Sequence, residues 1–283
     1  MATCTEEIFA IFTKNKIREP SKLDSLLVRC DMKKKQTKMK KYLYTLSAAV
    51  FWIGVWQAVS MIYDMDFVLP SPVRTLEVFI EKVCEHTFWS AVGFSVSRIM
   101  TGFFLSALLG ICLALLSIRV KVIGVLLDPF CSVVRAVPVA SFIILVLVMF
   151  SSEYVSVIIS LLMGFPVIYS TLRRGIEASP RELIEAADVF CLGYLRRLVY
   201  IYVPHLVPYI ASALSVACGL CFKSGIAAEV IGYPRGSVGE AMYLSKIGFN
   251  MPELLAYTAI IVVVSVLIEK GIEKLCRVRG DEK

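Results

Sequence analysis

The chain has 283 residues, of which 58% are hydrophobic and only 19% charged, a balance that excludes both an ordinary water-soluble domain and a disordered chain. Lys and Arg number 30 against 23 Asp and Glu, a formal net charge of +7. The excess clusters before and between long apolar runs, so it reads as membrane topology and not as a nucleic-acid footprint.

Residues 1–41 form a basic tail that holds 11 of the 30 Lys and Arg. Lys33, Lys34, Lys35, Lys38, Lys40 and Lys41 stand directly before the first apolar run, where a cytoplasmic segment meets anionic lipid. No small-residue cleavage site follows that run, which argues against a removable signal peptide. Met32-Lys33-Lys34-Lys35 has the form of a translation start, so residues 1–31 are expected to be missing from the native protein.

Six membrane spans are expected in an all-α fold. The first covers 42–63 and carries Trp52 and Trp56; a polar segment over 64–89 follows, with Leu69-Pro70-Ser71-Pro72 and a short amphipathic helix. Span two, 90–118, is interrupted by Arg98. Span three, 123–150, has Asp128-Pro129 near its start and Arg135-Ala136-Val137-Pro138 inside it. Pro138 lacks a backbone donor and should kink or break that helix, and Pro166 should bend span four, 154–172. Spans five and six cover 209–231 and 254–268. An even number of spans puts both termini on one side. That side collects 23 Lys and Arg against four on the other, with Arg98, Arg135 and Lys223 left within spans, so both termini are expected in the cytoplasm.

Charges at membrane depth are expensive unless they face the bundle interior, a partner or water. Ala211, Ser215 and Gly219 form a small-residue ridge on span five, and Lys223 continues it. Lys223 reads either as a pathway-lining cation for an anionic substrate or as a lysine paired with Glu229 or with helix-end carbonyls. Arg98 and Arg135 are candidates for the same pathway, with a scaffold role favoured for both.

Between spans four and five, the segment 173–208 is a polar and amphipathic island. Ser179 is a good N-cap, Pro180 suits a first helical position, and Glu182 sits where a capping box needs its carboxylate. Leu183, Ala187 and Phe190 then share one face. Gly193 can supply a left-handed stop before a second amphipathic turn at Tyr194. The apolar stripe must bury against lipid, the protein's own bundle or a partner protein.

Nine cysteines lack metal-ligand spacing, and the Cys218–Cys221 pair sits in an apolar helix, where small packing residues are expected. With His86 and His205 far apart, no metal site assembles. No nucleophile–base set appears, so no catalytic residues are assigned. The phosphate loop G-x-x-x-x-G-K-[ST] is absent, so the chain cannot hold ATP in that way, and no cofactor is expected.

Glu185-Ala186-Ala187, followed at a fixed distance by Ile201-Tyr202-Val203-Pro204, resembles the "EAA" loop of the permease subunits of bacterial ABC importers. Cys191 stands where that family usually has glycine, and Val203 where it has leucine. Leu69-Pro70-Ser71-Pro72, the Ser97–Phe103 stretch, Arg135-Ala136-Val137-Pro138 and Ala227-Ala228-Glu229-Val230-Ile231-Gly232 resemble the subfamily serving nitrate, sulfonates, taurine and thiamine precursors. The resemblance spans about residues 40–275. It implies the six-helix permease fold of a type I importer in the bacterial inner membrane. It also implies a homodimer joined to two ATP-hydrolysing subunits, a substrate-delivering extracytoplasmic binding protein, and a transport subunit that is not itself an enzyme. Glu185, Ala186, Ala187, Cys191, Gly193 and Pro204 then belong to the ATPase-coupling loop, and Arg98, Arg135, Ser215, Gly219, Lys223 and Glu229 to the candidate pathway. The division so implied is a basic tail over 1–41, a permease domain over 42–275 with its loop at 173–208, and a short tail over 276–283. An ion-gradient-driven carrier, or the membrane component of a different vitamin transporter, is the alternative; the fit from Glu185 to Pro204 argues against both.

Overall fold

The computed structural model describes residue 44 and residues 46–62 and 69–278; the basic tail, the proposed start at Met32 and residues 279–283 lie outside the described residues. Every regular element described is helical. Helix α1 (Leu46–Ile62) belongs to one unit, and residues from Met65 onward form a second. The second unit contains α2 (Pro72–Val83), α3 (His86–Arg119), α4 (Lys121–Ala136), α5 (Val139–Met149), α6 (Val155–Glu177), α7 (Arg181–Val189), α8 (Tyr194–Arg197), α9 (Val203–Gly232), α10 (Val238–Ile247) and α11 (Met251–Val278).

Four of the described helices are long and apolar enough to cross a membrane: α3, α6, the α8–α9 run and α11. They correspond to the expected spans two, four, five and six. The expected third span is divided. Helices α4 and α5 meet at an angle of 103°, with Val137 and Pro138 both extended between them at ψ 135° and 133°. Pro138 cannot donate to the helical ladder and pushes Val137 out of the helical region, so the break falls where the sequence placed it. The bent pair brings the total to five if it counts as one span. At Pro166 there is no break, and α6 runs through it as one helix.

The packing is centred on α6. Its Ile159, Ile168, Tyr169 and Leu172 are fully buried, with α3 on one side and α9 on the other. Small residues permit this close approach. A Cβ on Gly164 of α6 would collide with Ser106 of α3 and Cys221 of α9, so the three helices pass each other with no room for a methyl group. Cys221 donates its thiol to the Ser160 carbonyl at 3.2 Å, and Cys218 is buried beside it. Both act here as core residues.

Helix α2 begins at Pro72, the last residue of the Leu69-Pro70-Ser71-Pro72 motif. Ser71 caps it, accepting from the Arg74 amide at 3.2 Å, and Pro72 takes the first turn. The start of α7 is different. Its cap is Pro180, and the buried Ser179 hydroxyl donates back to the Gly175 carbonyl of α6 at 3.4 Å. A hydroxyl at the end of one helix has found the preceding turn before it could cap the next. Finally, α9 starts at Val203, six residues before the expected span. Pro204 sits in its first turn, and a π-helical turn over Leu198–Tyr202 joins it to α8 without interruption.

Candidate functional site

The 173–208 segment folds as a helix–turn–helix held by its own backbone and one arginine. Helix α7 ends in a Schellman arrangement. The Leu192 amide donates to the Ala187 carbonyl at 2.9 Å, and the Cys191 amide to Asp188 at 3.1 Å. The residue that turns left-handed is Cys191, with φ 48°. Gly193, expected in that role, is instead extended at φ −63° and caps α8. The position where the resembling family carries glycine is therefore the one whose backbone favours glycine.

Arg197 closes the turn. Its Nε donates to the Leu192 carbonyl at 2.7 Å, its Nη2 to the Ala187 carbonyl at 3.2 Å, and its Nη1 pairs with Asp188. These carbonyls lie at the negative end of α7, so a cation there is doubly favoured. The sequence reading missed this residue. A basic pair at Arg196-Arg197 in the last turn of a short helix was the only signal available, and it does not distinguish a clamp from a solvated charge. Tyr194 ties the same unit to α3, donating to the Leu115 carbonyl at 3.3 Å under the guanidinium of Arg119.

The apolar stripe of α7 splits. Ala187 is 1% exposed and faces its own chain, whereas Leu183, Val189 and Phe190 are 51%, 80% and 76% exposed. Glu185 and Ala186 are also exposed, and no ion pair holds Glu185 among the described residues. Cys191 is exposed beside Phe190, and Pro204 is exposed at the start of α9. A short helix thus exposes a large aromatic and two aliphatic side chains, with a carboxylate on the side away from Leu183 and Phe190, on a base fixed by Arg197 and Tyr194.

The charged membrane-helix positions separate into different environments. Arg98 on α3 is half-buried; its Nη2 donates to Glu153 at 2.8 Å and its guanidinium lies 3.9 Å over the Phe94 ring. It thereby ties α3 to the 3₁₀ turn ahead of α6. Arg135 sits one turn before the α4–α5 break, donating to the Cys131 carbonyl at 3.1 Å and to Ser170 on α6 at 3.3 Å. Glu229 is fully buried and accepts from the Ser95 hydroxyl at 2.5 Å, while Ser95 in turn accepts from the Val238 amide at 2.9 Å. The carboxylate therefore joins α9, α3 and the start of α10. It is not a partner for Lys223, which corrects the pairing left open by the sequence.

Lys223 and Gly219 line a cavity of about 370 Å³ between α9 and α11, with Ile226, Met242, Thr258 and Ser265 among its walls. Ser215 lies half-buried one turn before Gly219 on the same helix. Lys223 is exposed and without an ion pair among the described residues. A carboxylate also reaches this cavity. Glu269 of α11 lies so close to the ridge that a Cβ on Gly219 would come within 3.3 Å of its Oε2. Glu269 lay one residue beyond the expected sixth span and was not counted among the intramembrane charges.

Comparison with known proteins identifies the family of the chain. The family described as "Binding-protein-dependent transport system inner membrane component" matches residues 106–269, more than half of the chain, and the chain belongs to that family. It is a permease component of a binding-protein-dependent ABC importer. The nitrate import permease protein of Synechococcus elongatus is 24% identical over 254 residues, covering 79% of this chain and 90% of that protein. The taurine transport system permease protein of Escherichia coli is 25% identical over 242 residues, covering 81% and 83%. The bicarbonate transport system permease protein of Synechococcus elongatus is 24% identical over 227 residues, covering 75% and 80%. Among solved structures, an inward-facing form of the MetNI methionine ABC transporter superposes with a TM-score of 0.50 at 14% identity, covering 67% of this chain and 93% of the matched chain. The likeness to the latter is one of fold.

Proposed function

We propose that α7 and α8 form the surface through which this permease is driven by a separate ATP-hydrolysing subunit. The observation that carries the reading is the exposure of the apolar Leu183, Val189 and Phe190, with Glu185 exposed on the same short helix, on a loop otherwise anchored to its own bundle. Such side chains gain by desolvation against a cleft, and the carboxylate supplies a directional contact. Glu185, Ala186, Cys191, Gly193 and Pro204 belong to this loop. Ala187 serves it from within, by packing and by offering its carbonyl to Leu192 and Arg197.

The complete assembly in this reading is a homodimer in the bacterial inner membrane, with two ATPase subunits on the cytoplasmic side and a binding protein on the other. Helix α1 and the bent α4–α5 pair each count as a span, giving six with both termini cytoplasmic. The domain limits are those of the sequence, a basic tail over 1–41 and a permease domain over 42–275. The cavity lined by Lys223, Gly219 and Ser215 borders the route of a small solute, an organic or inorganic anion or a vitamin precursor. Relatives named for nitrate, taurine and bicarbonate support a small anionic group in the cargo. Arg98, Arg135 and Glu229 hold the frame around that route.

Co-purification tests the docking surface. Phe190→Asp and Glu185→Ala should leave the level of membrane-inserted permease unchanged while reducing the ATPase recovered with it. Full recovery of the ATPase with both variants would contradict the assignment.

A further inference from the structure

Helix α2 carries three faces, and one of them has no partner among the described residues of its own unit. Thr75 and Val78 are buried, and Phe79 and Val83 pack with Phe88 and Tyr257, so this side faces α3 and α11. Val73, Leu76 and Ile80 recur at spacings of three and four and are all exposed. Arg74, Glu77 and Glu81 lie on the remaining side, with Arg74 and Glu77 paired at 3.0 Å. Around the helix the order is therefore protein, apolar and exposed, then charged.

The ends of two membrane-crossing helices fix the level at which α2 lies. Lys82 pairs with Glu253 in the first turn of α11 at 3.0 Å. The indole Nε1 of Trp89, in the first turn of α3, donates to the Val83 carbonyl at 2.8 Å. Trp89 is itself exposed, and a tryptophan with an apolar body and a satisfied N–H is suited to the headgroup boundary. A helix at that boundary, packed sideways against a bundle, needs an apolar strip toward the acyl chains and a charged strip toward water. The three faces of α2 meet that requirement in the required order.

We infer that α2 is an interfacial helix whose Val73–Leu76–Ile80 strip is seated in the lipid boundary, with phospholipid as its partner. It anchors the ends of α3 and α11 to the bilayer surface beside the pathway. This placement does not depend on how α7 engages an ATPase.

Photo-crosslinking in native membranes tests the assignment. A benzophenone side chain replaces Leu76, Ile80, Glu77 or Glu81 in turn, in full-length protein labelled with radioactive phospholipid. Leu108, exposed on α3, serves as the lipid-facing reference. Substitution at 76 and 80 should capture lipid within about twofold of the reference and at least about tenfold above 77 and 81. Capture of a second permease or another polypeptide at 76 and 80 would overturn the inference. So would lipid capture at 76 and 80 no greater than at 77 and 81 while position 108 labels normally.

Discussion

At the scale of single residues, Glu229 and Lys223 sit in opposite environments, one buried and one exposed. Glu229, available in the sequence as a partner for Lys223, is committed to Ser95 and the start of α10. Its backbone lies against Gly239 so closely that any Cβ there would overlap it. Gly239→Ala should therefore destabilise by about 1–3 kcal/mol, as overpacking of a filled site does. Gly93→Ala, inside α3 where a Cβ meets nothing within 4 Å, should instead be stabilising by about 0.5–1 kcal/mol; thermal unfolding of the purified proteins compares the two. Lys223 has the opposite character. With no ion pair among the described residues, its replacement should spare the fold, and Lys223→Met should lower uptake while the permease still assembles with its ATPase. Lys223→Arg separates charge from geometry, since the guanidinium fork is bulkier and planar. Normal uptake by a well-assembled Lys223→Met protein would remove Lys223 from the pathway. Glu269 escaped the sequence reading because it stood just past a span boundary drawn from hydropathy, while α11 continues to Val278 and carries it against Gly219.

At the scale of elements, legibility followed the strength of the local constraint. Runs of about 20 apolar residues marked α3, α6, α9 and α11 because a span must satisfy its backbone internally. The α4–α5 break was legible because proline at 138 admits few alternatives. The end of α7 was not, since either Gly193 or a residue before it could take the left-handed position, and only the Leu192–Ala187 hydrogen bond selects Cys191. That choice is testable. Cys191→Gly removes a Cβ from a left-handed residue and should stabilise the loop by about 1 kcal/mol, seen as slower amide exchange over α7. Unchanged or faster exchange would contradict the turn. The α2–α11 contact supplies a pH test. Partial burial of Lys82 acts to lower its pKa, but hydrogen bonds and charge from Glu253 and Glu85 outweigh that and raise it above the usual 10.5. A raised lysine pKa gives stability that is fully present below the unfolded value and lost as pH rises through the folded one. The difference in thermal stability between wild type and Lys82→Met should thus persist from neutral pH to about pH 10 and shrink above it.

At the scale of the whole molecule, the proposal makes this chain a transmitter between an ATPase on one side and a solute route on the other. In this reading the path runs through covalent and packed connections: α8 is tied to α3 through Tyr194, and the α8–α9 run continues from the loop to the wall that holds Lys223. A docked element on such a run is joined to the pathway by continuous helix, through the π-helical turn over Leu198–Tyr202. Loss of an interfacial carboxylate costs roughly 2 kcal/mol or more where it is desolvated, and far less on a free surface. The decisive measurement is ATP hydrolysis and solute uptake by the permease reconstituted in vesicles with its ATPase and binding protein, comparing wild type with Glu185→Ala. The account predicts that wild type couples binding-protein-stimulated hydrolysis to uptake. Glu185→Ala, inserted at the same level, should lose the stimulation and the uptake together. Undiminished stimulation and uptake in Glu185→Ala would contradict it.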